Sequence, residues 1–194
     1  MPAEEAGDAY KDIEAVVEAT ELQDFHGEWR CLFLWGKLEN RADWLIYSYK
    51  QLTSSNVPDF KDLLKVFGEA FEEPATYQGN VPSDAYLKSL LAKDYFIALV
   101  ALDGENVVGG LAAYVLEKFE QERKEIYIYD LAVSESHRRH GIATGLINNL
   151  KMIARDIGAY VIFVQADKGD TAAISLYESL GKAEDTFNFD INVQ

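Results

Sequence analysis

The stretch Glu125–Gly158, EIYIYDLAVSESHRRHGIATGLINNLKMIARDIG, decides how the chain is read. Its opening, Glu125 to Val133, is rich in β-branched and aromatic side chains and stops at Ser134, Glu135 and Ser136, so it predicts a strand. From Gly141 the period changes. Ile142, Leu146, Leu150, Ile153 and Ile157 recur at helical spacing, and Gly158 stands where a left-handed C-terminal cap would close a helix. Between strand and helix lies Arg138-Arg139-His140-Gly141-Ile142-Ala143, a basic turn with small residues. The first amides of a helix have no partner inside it and carry the positive end of its dipole, so such a turn suits a phosphate. Gly141 permits close approach to the main chain. Arg138 and Arg139 add charge, and successive turn amides can form a concave nest for a pyrophosphate.

Outward from this stretch, the remaining elements follow from period and punctuation. Trp44 to Leu52 alternates Trp44/Ile46/Ser48 with Leu45/Tyr47/Tyr49, as a first strand would. Pro58 to Phe71 reads as a helix with Phe60, Leu63, Leu64, Phe67 and Phe71 on one face. Glu72 to Pro82 reads as a polar loop. Ser83 is the N-cap expected for a second helix whose apolar side is Tyr86, Leu87, Leu90 and Leu91. Tyr95–Leu102 and Asn106–Leu116 are two apolar strands joined by a turn at Asp103-Gly104-Glu105, and Gly109 and Gly110 mark a bulge or close packing. After a polar hinge, Glu117 to Lys124, comes the organising stretch. Tyr160 to Ala166 is a continuous apolar run, expected as a strand buried on both faces. Asp170 to Leu180 predicts a short helix, and Glu184 to Val193 alternates Phe187, Phe189 and Ile191 with polar neighbours as a final strand.

Residues 1–43 stand apart, with eleven acidic residues against four basic ones by count from the sequence. Ile13, Val16, Val17, Thr20 and Leu22 loosely follow a helical stripe, which predicts an appended amphipathic helix. Cys31 to Trp35 then forms a short buried or partner-facing segment closed by Gly36. Residues 44–194 are expected to form one domain, in keeping with a chain of 194 residues.

Charge and cysteine content exclude several classes. Eighteen Lys+Arg against 33 Asp+Glu give a net charge of −15. Such a surface repels phosphates, so no nucleic acid and no anionic membrane is expected as partner. A cationic small molecule suits it, as does plain acidic solubility. Cys31 has no partner for an internal disulfide. Pro2 to Glu28 lacks the basic region and apolar core of a signal peptide, and no apolar run nears the roughly 18 to 20 residues that span a bilayer. A cytoplasmic protein is expected. His26, His137 and His140 are scattered or sit in the basic turn, which gives no metal-ligand set.

Asp130 is the candidate for chemistry on a substrate. A carboxylate among Ile126, Ile128 and Ala132, on a strand expected to be central, is costly to bury unpaired. Either an internal basic group satisfies it, or it faces a cleft and orients or deprotonates a cationic amine. Glu125, Asp167 and Asp170 could line the same cleft mouth. Tyr127 and Tyr129 offer ring faces for a sugar or ammonium, with core packing as their alternative. Helical spacing brings Asp170, Ala173 and Tyr177 to one face.

Taken together, Arg138, Gly141 and Ala143 resemble the fixed positions of Gln/Arg-x-x-Gly-x-Gly/Ala, the acyl-CoA pyrophosphate loop of the Gcn5-related N-acetyltransferase (GNAT) superfamily. Asp170-x-x-Ala173-x-x-x-Tyr177 resembles that superfamily's second motif, Asn-x-x-Ala-x-x-x-Tyr, with Asp170 in place of Asn. At finer grain, the segments within residues 57–192 are similar to the type I aminoglycoside 3-N-acetyltransferases. The resemblance implies the GNAT fold, an α/β (α+β) arrangement with a mixed, mostly antiparallel central sheet and flanking helices. It implies acetyl-CoA as donor, no metal, and the 3-amino group of the 2-deoxystreptamine ring in gentamicin-like antibiotics as acceptor, hence antibiotic resistance. It implies that Arg138, Arg139, His140, Gly141, Ile142, Ala143 and Thr144 hold the pyrophosphate. Main-chain groups of Leu131, Ala132 and Val133 would pair with the pantetheine arm where their strand splays from its neighbour, and Asp170 and Ala173 would contact the cofactor. Tyr177 would be the acid for the leaving thiolate. Asp130, Tyr129, Asp167 and Glu73, with Glu72 and Tyr77, become acceptor-site candidates. A homodimer is a candidate assembly. The rival expectations are a polyamine or other small-amine N-acetyltransferase and a non-catalytic acyl-CoA-binding sensor.

Overall fold

The computed structural model describes residues 20–23, 29–32 and 47–193. Strand β1 (Thr20–Gln23) and strand β2 (Trp29–Leu32) form an antiparallel pair, with Thr20 opposite Leu32. This corrects the helical reading at Thr20 and Leu22, whose backbone groups pair across a ladder. Ile13, Val16, Val17 and the segment from Phe33 to Trp35 lie outside the described residues.

The main sheet has the order β3 (Tyr47–Gln51), β4 (Phe96–Asp103), β5 (Asn106–Glu117), β6 (Lys124–Val133) and β7 (Ala159–Val164). Neighbours are antiparallel except β6 and β7, which run parallel. Helices α1 (Val57–Ala70), α2 (Pro74–Gln78) and α3 (Asp84–Leu91) precede β4, α4 (Ile142–Asp156) joins β6 to β7, and α5 (Thr171–Leu180) follows. No described helix is long and apolar enough to cross a membrane.

Two cores sandwich the sheet. On one face α1 and α3 bury Phe60, Leu63, Phe67, Leu87 and Leu91 against Phe96, Ala98, Val100, Ala112 and Ala132. On the other, α4 buries Ile142, Leu146 and Leu150 against Ile97, Leu99, Ala101, Leu111, Ile126 and Ile128. Successive residues of β4 feed opposite cores, which is why its sequence is apolar without alternation. Two glycines let layers meet closely. A Cβ on Gly110 would stand 2.5 Å from both the Leu99 carbonyl oxygen and Leu63 Cδ1, and one on Gly145 would stand 2.0 Å from Tyr49 Oη. Close packing is therefore the reason for Gly110, and the register shift at Ala101/Leu102 leaves Val108 as an extra residue beside Gly109; a second shift falls at Ala112/Ala113.

The shift at Ala112/Ala113 matters most. Ala113 pairs with Ile128 and Ala112 with Asp130, so Tyr129 is an extra residue in β6. A bulge of this kind rotates the strand beyond it. Ile126 and Ile128 consequently pack under α4, whereas Ala132 packs with α1 on the opposite face.

Four further expectations need correction. The loop after α1 contains α2, because Pro74 fits a first helical turn and the Tyr77 ring packs on Phe67 and Phe71 at 5.8 and 5.7 Å. In α3, Leu87 and Leu91 are buried but Tyr86 is exposed. Strand β7 is an edge, with Tyr160, Val161 and Phe163 exposed, and residues 182–193 form no strand. A continuous apolar run identified β7 as a strand, but burial on both faces requires covering elements that the described residues do not supply there.

Candidate active site

Parallel pairing between β6 and β7 ends at Ile128 opposite Val164. Strand β6 continues to Val133 paired with β5 alone, Leu131 opposite Leu111, Ala132 opposite Gly110 and Val133 opposite Gly109. The two parallel strands therefore part at the end of β6 that leads into α4. Main chain from Tyr129 to Val133 borders that gap on the side away from β5.

The turn into α4 is open. Gly141 is the N-cap, exposed and left-handed at φ 77°, and no side chain caps this end. The Gly145 amide donates to the Gly141 carbonyl at 2.9 Å, which leaves the amides of Ile142, Ala143 and Thr144 without acceptors inside the helix. Arg138, Arg139 and His140 are exposed, and Arg139 also has a positive φ of 68°. Arg138 Nε donates to the Val133 carbonyl at 3.2 Å, tying the turn to the end of β6. Behind the turn, His137 Nδ1 lies 3.0 Å from Ser134 Oγ and 2.9 Å from Ser136 Oγ, and its Nε2 lies 3.5 Å from Asp103 Oδ2. The His140 ring stacks on Tyr47 with centroids 6.5 Å apart.

Asp130 is half-buried on the face the bulge gives it. Tyr77 Oη donates to Asp130 Oδ2 at 3.2 Å. Among the described residues no basic side chain pairs with Asp130. Burial raises the Asp130 pKa above the ordinary carboxylate range, the Tyr77 bond opposes that, and the Glu73 charge adds to it. Burial also raises the Tyr77 pKa, with the Asp130 charge next in weight, so the phenol stays protonated and donates. Glu73 is exposed and precedes the first turn of α2. Tyr129 is 63% exposed and meets Tyr114 and Tyr127 edge to face at 5.9 Å each.

The second motif occupies α5. Asp170 Oδ1 accepts from the Ala173 amide at 2.9 Å, so its carboxylate caps the helix. Tyr177 is half-buried, packed beside the core under α4, and its pKa is raised first by burial and then by the Asp170 charge. Asp167 is exposed, and its carbonyl accepts from the Asp170 amide. Glu125 is not available at a cleft mouth. It pairs with Lys118 at 3.2 Å and accepts a short hydrogen bond from Tyr160.

The sequence profile described as "Acetyltransferase (GNAT) family" matches residues 60–182. The chain belongs to the GNAT acetyltransferase family. Among solved structures, an aminoglycoside acetyltransferase from an uncultured soil metagenomic sample is 55% identical with a TM-score of 0.75, over 76% of this chain and 99% of that one. A second soil metagenomic aminoglycoside acetyltransferase, in complex with sisomicin, is 32% identical with a TM-score of 0.71, over 76% of this chain and 97% of the other. N-acetyltransferase 8B of Rattus norvegicus is 34% identical over 82 residues, 42% of this chain and 37% of its own length. Human N-acetyltransferase 8 is 31% identical over 94 residues, 48% of this chain and 41% of its own length. The chain thus matches about two fifths of these relatives.

Within the GNAT frame, the structure brings Leu131–Val133 and the 138–144 turn to one end of the sheet, and Glu73 and Tyr129 into the surroundings of Asp130. Sequence reasoning named Tyr77 only as a substrate contact. Its bond to Asp130 spans 53 positions, and no local pattern carries such a pairing. A signal for the bulge did exist: Asp130 breaks the even-numbered apolar series Ile126, Ile128, Ala132, which a straight strand would send into the α4 core.

Proposed function

We propose that this GNAT-family chain moves an acetyl group from acetyl-CoA to an amine of an aminoglycoside, with the 3-amino group of a 2-deoxystreptamine ring as the position modified. The carrying observation is the parting of β6 from β7 directly before an uncapped, glycine-started α4, with Asp130 on the adjoining bulge. Open first-turn amides and unpaired β6 main chain fit a pyrophosphate and an amide-bearing arm respectively. The family likeness and the two aminoglycoside-acetyltransferase neighbours support the choice of donor and acceptor.

In this reading Ile142, Ala143 and Thr144 amides, with Arg138, Arg139, His140 and Gly141 around them, hold the pyrophosphate. Leu131, Ala132 and Val133 hold the pantetheine arm, and the Val133 amide donates to the thioester oxygen. Acetyl-CoA supplies the activated acyl group. Asp130 takes the ammonium of the acceptor, orients it and accepts its proton, so the neutral amine attacks directly within a ternary complex. Tyr177 gives its phenolic proton to the departing sulfur. Tyr129, Glu73 and Asp167 contact the cationic acceptor, and Asp170 acts on the cofactor side through the α5 cap it forms. Residues 44–194 make up the catalytic domain and 1–43 an acidic extension, the whole working in the cytoplasm and conferring resistance.

The test is acetyl transfer with a panel of gentamicin, sisomicin, kanamycin and spermidine, followed by the mass and NMR position of the product. Single acetylation at the 3-amino group supports the proposal. Turnover of spermidine alone would assign a polyamine acetyltransferase, and CoA binding without turnover would assign a sensor.

A further inference from the structure

The turn that opens α4 keeps a costly shape with little main chain to hold it. Arg139 has a left-handed φ of 68°, which a residue with a Cβ rarely adopts. Such a conformation persists only where its surroundings fix it. Main-chain bonds hold the turn's entrance, with the His137 amide donating to the Ser134 carbonyl at 2.9 Å and the Arg138 amide to the Glu135 carbonyl at 3.2 Å. Among the described residues, none holds Arg139 or His140. The constraint therefore comes from side chains.

Those side chains converge on His137, which the proposed reaction does not use. Because Val108 is an extra residue in β5, its carbonyl is free to accept from Ser134 twice, from the amide at 2.9 Å and from the hydroxyl at 3.0 Å. Ser134 is thereby fixed against β5. His137 Nδ1 lies 3.0 Å from that hydroxyl and 2.9 Å from Ser136 Oγ, while its Nε2 lies 3.5 Å from Asp103 Oδ2 at the end of β4. Beneath the turn is Tyr47, a core residue only 6% exposed. Its ring meets His137 edge to face with centroids 6.2 Å apart and stacks on His140 at 6.5 Å. One imidazole thus joins the end of β6, the turn and the end of β4, over a floor that belongs to β3.

We propose that His137 is a positioning residue for the cofactor. By holding Ser134, Ser136 and Asp103 together it sets the shape of residues 138–141, and so aims the Ile142, Ala143 and Thr144 amides at the pyrophosphate. The proposal rests on the reading of this turn as the CoA pyrophosphate site, and deepens it by assigning the turn's shape to a side chain behind it. A turn already in its bound shape spares the cofactor the entropy of ordering it. Without the imidazole, Arg139 relaxes toward ordinary backbone angles and the amides lose their common aim. The pyrophosphate feels that loss. The pantetheine arm, held by β6 main chain, does not.

The test compares binding of CoA, by isothermal titration calorimetry, with binding of pantetheine, which lacks the pyrophosphate, by NMR titration of the full chain. Neither measurement needs an acceptor. His137→Ala is expected to weaken CoA about tenfold, the size of one lost hydrogen-bonded contact, and to leave pantetheine within about twofold. His137→Asn, whose side-chain amide reaches the place of Nδ1 beside the two hydroxyls, is expected to bring CoA affinity back to within about threefold of the unaltered protein. Ser134→Ala should weaken CoA by itself and cost nothing more in the His137→Ala background, because both changes remove the same contact. Should circular dichroism show His137→Ala to be unfolded, the Asn and Ser134 variants still decide the matter. Equal weakening of CoA and pantetheine, unchanged CoA affinity, an Asn variant no better than Ala, or additive costs at 134 and 137 would each overturn the proposal and leave the reading of the turn in place. Absence of CoA binding by the unaltered protein would overturn both.

Discussion

Asp130 lies on the Tyr77 side of the sheet because Tyr129 is one residue too many for its ladder. Without that bulge the carboxylate would follow Ile126 and Ile128 under α4, where an unpaired charge is prohibitively costly. Its actual neighbours are Tyr77 and Glu73, and their effects on its pKa oppose each other. Since the Tyr77 hydrogen bond favours the ionised form, Tyr77→Phe should raise the Asp130 pKa further. If Asp130 is the proposed base, its carboxyl takes no proton from the acceptor below that pKa, so the acid limb of kcat/KM should move to higher pH. Tyr177→Phe should behave differently, with kcat down by about 10²-fold, the acid limb in place and acetyl-CoA binding little changed. Profiles of kcat/KM against pH for the two variants separate the proposed base role of Asp130 from the proposed acid role of Tyr177. Of this chemistry the sequence displayed the single residues Asp130 and Tyr177, each with an innocuous alternative. Tyr77 could not be paired with Asp130 from sequence, because the contact depends on how α2 seats on the Phe67 and Phe71 rings.

The elements were more legible than their neighbours. Helical period, Pro58, Ser83, Asp170 and the left-handed glycines at 141 and 158 located α1, α3, α4 and α5 to within a residue or two. These signals are local, and the physics they report is local too. Helix α2 was missed because five residues are too few to display a period. Burial of β7 was overestimated, since an apolar run cannot say whether a second sheet neighbour exists. Gly109 and Gly110 were marked as a place of bulge or close packing, and both occur: Val108 is an extra residue beside Gly109, and Leu63 and the Leu99 carbonyl stand in the way of any side chain at Gly110. Gly110→Ala should therefore force α1 and β4 apart and lower unfolding free energy by about 1–3 kcal/mol, read from chemical denaturation midpoints at unchanged slope.

At the scale of the molecule, a net charge of −15 suits the polycationic acceptor proposed, and the uncapped start of α4 with its basic turn suits an anionic cofactor. The fold class was readable because strand, turn and helix occur there in succession and each obeys its own rule. The acceptor remains a proposal because charge and ring faces select for cationic sugars as a class. Residues 1–43 lie outside the resemblance, so a chain beginning at residue 44 should keep its acetyl-transfer rate per folded molecule, measured beside the full chain at matched active concentration. The most direct measurement of the central claim is a titration of ¹⁵N-labelled protein with CoA, following backbone amides by NMR. The account predicts the largest shifts at Gly141, Ile142, Ala143 and Thr144, with a second group at Leu131–Val133. Saturable CoA binding that leaves those amides unmoved, or no binding at all, would contradict it.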